Sequence, residues 1–257
     1  MMSVLQALLL GVLQGVTEWL PVSSSGHLVL LQTFLGINAP LLFDVVLHLG
    51  TVFAVFAVYY QDVFKMLEAF LRWDFKCEHG RLLLFLALGS IPTAIIGFVF
   101  HDVFKRMFSN TMTVGLALIA TGVILYFTRG KQGSRELNTK YSLLVGVAQG
   151  VAIVPGLSRS GATISTGLFL GLDRKKAAQY SMLLSVPAII GASALEYSMG
   201  GVVEASIAPL FAGFVSALAV GYVSIRLLLR LLSQDSFHSF AYYCWFVGGL
   251  VVASQLF

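Results

Sequence analysis

Long apolar stretches alternate with short polar ones along the whole chain. Six of the apolar stretches are long enough for a helix to cross the hydrocarbon core of a bilayer, which takes about 20 residues. They lie at 41–61, 82–100, 112–128, 177–199, 207–228 and 239–257. The pattern therefore predicts six full transmembrane helices.

Two other apolar stretches, 1–35 and 141–172, are interrupted at their centres. The first contains PVSSSGH at 21–27 and the second contains PGLSRSG at 155–161. Broken backbone at membrane depth is tolerated only where protein or a wet cavity satisfies its N–H and C=O groups. We therefore predict that both stretches form re-entrant helix-loop-helix hairpins.

The two interrupted stretches also resemble each other in sequence. GVLQGV at 11–16 matches GVAQGV at 146–151 at an offset of 135, and the same offset carries S-x-S-G at 23–26 onto 158–161. Matches of this kind indicate an internal repeat.

Three predicted spans separate the two hairpins. An odd number of crossings makes the second hairpin enter from the membrane face opposite the first. The predicted fold is therefore an all-α polytopic membrane protein, a single integral membrane domain over 1–257 with an inverted-topology repeat. The first repeat covers about 1–128 and the second about 141–257.

Lys and Arg are distributed unevenly over the predicted loops. Of the 16 basic residues, 13 fall on one face, two (Lys105 and Arg106) fall on the other, and Arg159 lies in the second broken loop. Cytoplasmic loops retain Lys and Arg. The asymmetry predicts that the face with 13 basic residues is cytoplasmic and that both termini lie on the outer face.

Composition supports a chain surrounded by membrane lipid. Hydrophobic residues make up 58% of the chain and charged residues 11%, against roughly 25% charged residues in soluble domains. Mean hydropathy is +0.88. A soluble domain and a disordered chain are excluded, nucleic acid is not expected as a partner, and any chemistry has to lie inside the helix bundle.

Three ionisable residues, Glu18, His27 and Arg159, lie in or beside the broken loops, where a charge is costly unless it is paired or hydrated. Hydroxyl groups surround them in the sequence, at Ser23, Ser24, Ser25, Ser158, Ser160 and Thr163. Because the planar Arg side chain suits phosphate oxygens, this set predicts an anion site with a carboxylate at its edge. The alternative is a purely structural ion pair that joins the hairpins.

A carboxylate repels a phosphate unless a cation lies between them. The predicted cofactor is therefore a divalent cation, Mg²⁺ or Ca²⁺, held by Glu18 and substrate oxygens.

Over its full length the chain resembles the undecaprenyl-diphosphate phosphatase family, whose members are integral membrane enzymes of bacteria associated with bacitracin resistance. The resemblance implies a location in the bacterial plasma (inner) membrane, where the outer face that holds both termini is periplasmic. The first family motif falls on Gln14 and Glu18, the second falls on PGLSRSGAT at 155–163, and SVPAIIGA at 185–192 also matches. The resemblance implies hydrolysis of a polyprenyl diphosphate lipid, undecaprenyl diphosphate, to undecaprenyl phosphate and inorganic phosphate. This reaction recycles the lipid carrier of peptidoglycan and cell-wall synthesis.

The resemblance also implies roles for individual residues. Glu18 is expected to bind the metal and Arg159 the diphosphate. Substrate-binding residues are expected at Gln14, Ser23, Ser25, Gly156, Ser158, Ser160 and Thr163. Gln14 stands where other members carry Glu, so a second carboxylate is missing, and an amide oxygen is left as a possible metal ligand.

The residues leave the nucleophile open. Ser24 or His27 could attack phosphorus directly, or His27 could act as a general base toward Ser24 or water. For Asp44 and His48, on the first full span, we favour an ordinary polar helix face over a role at the site.

Eight aromatic residues are predicted to be anchors at the membrane interface, namely Trp19, Trp73, Trp245, Tyr59, Tyr60, Tyr126, Tyr242 and Tyr243.

The competing function is a secondary transporter or flippase for a phosphorylated polyprenyl lipid, because inverted repeats with broken helices are also a transporter design.

Overall fold

The computed structural model describes residues 2–37, 39–108, 110–200 and 206–255, and over these residues its regular structure is helical. The helices are α1 Val4–Trp19, α2 Ser24–Leu35, α3 Leu41–Val58, α4 Tyr60–Leu71, α5 Glu78–Val99, α6 His101–Phe108, α7 Thr111–Tyr126, α8 Thr139–Val151, α9 Arg159–Phe169, α10 Arg174–Gly200, α11 Ile207–Ser233 and α12 Phe240–Ser254, with a 3₁₀ turn at Phe237–Ser239 before α12. The last two residues of the predicted span 239–257 lie outside the described ranges.

Four helical segments in the described part of the chain are long and apolar enough to cross a bilayer. They are α5, α10 over Arg174–Leu195, α11, and α12 with its preceding turn. Two bent pairs, α3 with α4 and α6 with α7, raise the number to six if each pair is one span. The prediction of a multi-pass, all-helical membrane protein is confirmed at this level.

The first predicted span is shorter than its apolar stretch. The apolar pattern predicts a span that reaches residue 61, but α3 ends at Val58, and α4 leaves it at an angle of 85°. Helix α4 is amphipathic: Met66 and Ala69 are buried, while Lys65 and Glu68 are exposed. An amphipathic helix is stable along a membrane surface and not across it, so the chain turns where its apolar pattern becomes one-sided.

Helix breaks occur in both stretches where the sequence predicts them. Helix α1 ends before residues 20–23 and α8 ends before residues 152–158. Each following helix starts on a serine N-cap, Ser23 for α2 and Ser158 for α9, whose hydroxyl accepts a bond from the backbone N–H three residues later. The S-x-S-G pattern thus restarts the helix by satisfying one of its free N–H groups.

Each broken hairpin packs closely against a long helix from the other half of the chain. Helix α1 lies along α11, and α8 lies along α5. A Cβ atom at Gly11 would lie 2.5 Å from the Gly213 carbonyl oxygen, and one at Gly146 would lie 2.0 Å from the Gly89 carbonyl oxygen. The missing side chains let the helix backbones touch, as small residues do in membrane bundles.

We expect Gly146→Ala to lower the apparent melting temperature in detergent, because its methyl group would meet backbone that cannot move aside. Overpacking of this kind costs about 1–3 kcal/mol. Gly191→Ala is the matched control, since Gly191 is also helical and a Cβ there meets nothing within 4 Å; it should melt no lower than the unchanged protein. Equal melting of the two variants would contradict the close α5–α8 contact.

Candidate active site

A buried ion pair joins the two broken hairpins. Glu18 lies one residue before the end of α1 with 6% of its surface exposed, and Arg159 is the first residue of α9. Arg159 Nη2 donates to Glu18 Oε1. The two ionisable residues that the sequence assigns to opposite halves of one site are therefore in direct contact.

The second carboxylate oxygen of Glu18 accepts two further hydrogen bonds. Ser24 Oγ donates to Oε2 over 2.5 Å, and Gln14 Nε2 donates to the same atom over 2.9 Å. Gln14 and Glu18 are one helical turn apart, so their side chains share a face of α1. A single carboxylate thus holds Arg159, Ser24 and Gln14 around it.

The Arg159 guanidinium also lies over an aromatic ring. Its Cζ is 5.3 Å from the centroid of Trp19, which is completely buried. The expectation that Trp19 is an interfacial anchor is therefore wrong. Because Trp19 ends α1 immediately before the break, its ring lies beneath the charge instead of facing lipid headgroups, and a cation–π contact of this kind contributes about 0.5–2 kcal/mol.

Both ring nitrogens of His27 bond to groups other than the carboxylate. Its Nδ1 is 2.9 Å from the Ser23 carbonyl oxygen and its Nε2 is 2.8 Å from the Tyr243 hydroxyl. A carbonyl oxygen only accepts, so Nδ1 carries the proton of the neutral ring and Nε2 accepts from the Tyr243 O–H. No hydrogen bond joins His27 to Ser24 within the described residues. Tyr243, predicted to be an interfacial anchor, is the partner that the sequence missed.

The first broken loop contains a strained residue. Ser23 has φ 68° and ψ 96°, although it is not a glycine. Such a conformation costs of order 1–3 kcal/mol and persists only where the surroundings hold it. Here the Ser23 side chain caps α2, and its Oγ is 3.3 Å from Ser25 Oγ. The strain lies directly before Ser24.

The second broken loop is held from α7. Thr121 Oγ1 accepts from the Ser158 N–H over 3.0 Å and donates to the Gly156 carbonyl over 3.1 Å. Gly156 has φ +93°, and a Cβ there would lie 2.3 Å from the Val114 carbonyl oxygen. Only glycine fits this position. A threonine in the middle of an apolar span carries no sequence signal for such a role.

Two of the predicted substrate-binding hydroxyls bond to the protein itself. Thr163 Oγ1 donates to the Arg159 carbonyl and is 2.5 Å from Ser181 Oγ, while Ser160 Oγ donates to the Leu20 carbonyl over 3.4 Å. These contacts hold α9 against α10 and against the first loop. The substrate contacts that the sequence assigns to Thr163 and Ser160 stay predictions.

His48 lies closer to the Glu18 carboxylate than the sequence suggests. Its Nε2 is 3.8 Å from Glu18 Oε2, and its Nδ1 donates to the Asp44 carbonyl over 2.8 Å. The sequence favours an ordinary polar helix face for this residue, because the position of His48 along α3 does not show which side of α3 lies next to α1. The fold nevertheless brings the imidazole beside the carboxylate.

The oxygen atoms around Glu18 fit a hard divalent cation only in part. Gln14 Oε1 is buried and has no hydrogen-bond partner within the described residues, and amide and carboxylate oxygens are the ligands that Mg²⁺ and Ca²⁺ prefer. Those residues also contain no group of three or more His, Cys, Asp or Glu side chains placed to hold a metal. These donors would leave most of the ligand shell of a cation to substrate oxygens and water.

Comparisons with known proteins identify the family of the chain. The family model described as bacitracin resistance protein BacA matches residues 7–250. Relatives named undecaprenyl-diphosphatase occur in Methanosphaera stadtmanae, with 38% identity, and in Halothermothrix orenii, with 41% identity; each alignment covers 98% of both chains. A third, from Korarchaeum cryptofilum, is 39% identical over 96% of this chain and 97% of its own. The chain belongs to the BacA family.

Proposed function

We propose that the protein is an undecaprenyl-diphosphate phosphatase, which hydrolyses undecaprenyl diphosphate to undecaprenyl phosphate and inorganic phosphate. The observation that carries the proposal is the buried contact of Glu18 with both Arg159 and Ser24. This contact brings together a guanidinium that can bind phosphate (Arg159), a hydroxyl nucleophile (Ser24) and a proton acceptor (Glu18). Family membership and the names of the relatives support the same activity, with bacitracin resistance as its consequence.

In the proposed mechanism Ser24 is the nucleophile. Its Oγ attacks the terminal phosphorus while its proton passes to Glu18, and the bond from that phosphorus to the bridging oxygen breaks. Undecaprenyl phosphate leaves with the bonding electron pair. Water then attacks the phosphorus of phospho-Ser24 and loses one proton to solvent. The P–Oγ bond breaks, Ser24 Oγ keeps the electron pair and takes back the proton from Glu18, and inorganic phosphate is released. His27 is less suited to attack, because both of its ring nitrogens are engaged.

Arg159 has two functions in this mechanism. Before the substrate binds, it neutralises Glu18; when the diphosphate arrives, its remaining N–H groups bind phosphate oxygens. Ser158, Ser160 and free N–H groups at the start of α9 add positive potential where charge develops in the transition state. Phosphoryl transfer needs mainly this positioning and charge stabilisation.

Glu18 and the Gln14 amide oxygen would hold the divalent cation together with the substrate. When bound, Mg²⁺ or Ca²⁺ would offset the repulsion between the carboxylate and the diphosphate. The unpartnered Gln14 Oε1 supports this assignment.

The proposed topology has six full spans and two re-entrant hairpins in an inverted repeat, with both termini outside the inner membrane. Helix starts support the repeat: α1 and α8 begin 135 residues apart, at Val4 and Thr139, and α2 and α9 begin 135 residues apart, at Ser24 and Arg159. The exchanged packing of α1 on α11 and α8 on α5 also supports it.

Purified protein in detergent should release inorganic phosphate from undecaprenyl diphosphate, and EDTA should abolish the release until Mg²⁺ or Ca²⁺ is added in excess. No release with any cation would contradict the hydrolase and favour the transporter or flippase. Release that EDTA does not affect would contradict the cation.

Ser24→Ala should lower phosphate release by at least about 10³-fold, because the attacking group is gone. His27→Ala should retain measurable turnover, since His27 does not touch the reacting atoms in the proposed mechanism. Ser233→Ala, on the exposed end of α11, is the control and should release phosphate at the rate of the unchanged protein. Near-normal turnover of Ser24→Ala, with folding intact, would exclude Ser24 as the nucleophile.

The two native cysteines allow the topology to be tested. Cys77 lies between α4 and α5, on the face proposed to be cytoplasmic, and Cys244 is completely buried. A membrane-impermeant maleimide should label Cys77 only after the cells are permeabilised. In a Cys77→Ser background, Lys105→Cys should be labelled in intact cells. The reverse pattern would invert the proposed orientation.

A further inference from the structure

The hydrogen bond between His27 and Tyr243 ties the first broken loop to the last helix, α12. We propose that Tyr243 is a positioning residue for the reaction: it holds His27, and through His27 the Ser23 carbonyl, so that Ser24 is presented to Glu18. This inference rests on the proposed hydrolase function and extends the site to a residue more than 200 positions away in the sequence.

Two successive hydrogen bonds lead from Tyr243 to Ser23, and both donate in that direction. The Tyr243 O–H donates to His27 Nε2, and His27 Nδ1–H donates to the Ser23 carbonyl. The Tyr243 and His27 rings are also stacked, with centroids 5.7 Å apart and planes 13° from parallel. The orientation of His27 is therefore fixed at both ring nitrogens.

The two broken loops differ in the backbone of their N-cap serine and in the residue at the position of His27. Both loops restart their helix on a serine N-cap, but Ser158 has an ordinary φ of −72°, whereas Ser23 has φ 68°. At the offset of 135, His27 corresponds to Ala162, which has no side-chain donor. Of the two N-cap serines, only Ser23, whose carbonyl accepts a bond from an imidazole, has a positive φ.

Helix α12 also contacts the start of the same loop. Cys244 Sγ lies 3.5 Å from the Pro21 carbonyl oxygen, so neighbouring residues of α12 contact the loop on both sides of Ser23. Strained backbone persists only where its surroundings over-determine it. Tyr243 and Cys244 supply part of that constraint from outside the hairpin.

Tyr243→Phe removes the O–H and keeps the ring. We expect kcat for phosphate release from undecaprenyl diphosphate to fall about 5- to 10-fold, the effect of losing one hydrogen bond, while KM stays within about 2-fold because the phenol does not bind the diphosphate. Tyr242→Phe is the matched control, since Tyr242 is adjacent and makes T-shaped ring contacts with Trp245 and Tyr126 instead; it should leave both constants unchanged.

Two further readouts separate positioning from a general loss of stability. Added to His27→Ala, Tyr243→Phe should cause no further loss of kcat, because the bond that it removes is already gone. In ¹⁵N-histidine-labelled protein, the Nε2 resonance of His27 should shift in Tyr243→Phe and stay in place in Tyr242→Phe.

If the protein without substitutions released no phosphate, the proposed function would be contradicted. The Nε2 resonance of His27 would still test the His27–Tyr243 bond. An active protein whose kcat survives Tyr243→Phe would overturn the positioning role alone. A loss of kcat on top of His27→Ala as large as in the single variant, or an unmoved His27 resonance, would overturn it as well.

Discussion

The rest of the site depends on one buried ion pair in a chain surrounded by lipid. An isolated charge at membrane depth is expensive, and it is tolerated when it meets an opposite charge or water. Glu18 is nearly fully buried, and Arg159 contacts it directly from the other hairpin. Removing either partner alone would leave an unpaired buried charge, which is strongly destabilising. The pair therefore forces the two broken loops to meet.

The same contact accounts for the arrangement of the surrounding groups. With Oε1 bound to Arg159, Glu18 Oε2 is left to accept from Ser24 and Gln14. Helix breaks provide the free backbone donors, and glycines let α1 and α8 approach α11 and α5 closely. Arg159 neutralises Glu18 in the folded chain, and in the proposed mechanism its remaining N–H groups bind the diphosphate. One guanidinium would thus serve both folding and phosphate chemistry.

The local sequence pattern predicts the helix breaks and singles out Glu18, Arg159 and Ser24 as candidate site residues, because broken backbone and costly charges are visible in the sequence. The bend at Tyr59 follows from a change of periodicity that a hydropathy average hides. Trp19, Tyr243 and Thr121 could not have been assigned from the sequence. Each acts through a contact between distant segments, and an aromatic or hydroxyl side chain in an apolar helix looks the same whether it faces lipid or a catalytic loop.

Exchanging the two charges tests most directly whether this ion pair is catalytic as well as structural. The double variant Glu18→Arg with Arg159→Glu keeps a buried pair and moves the proton acceptor away from Ser24. Its apparent melting temperature should recover from that of either single variant, while phosphate release from undecaprenyl diphosphate should stay abolished. Recovery of both melting temperature and phosphate release would show that the pair only holds the hairpins together.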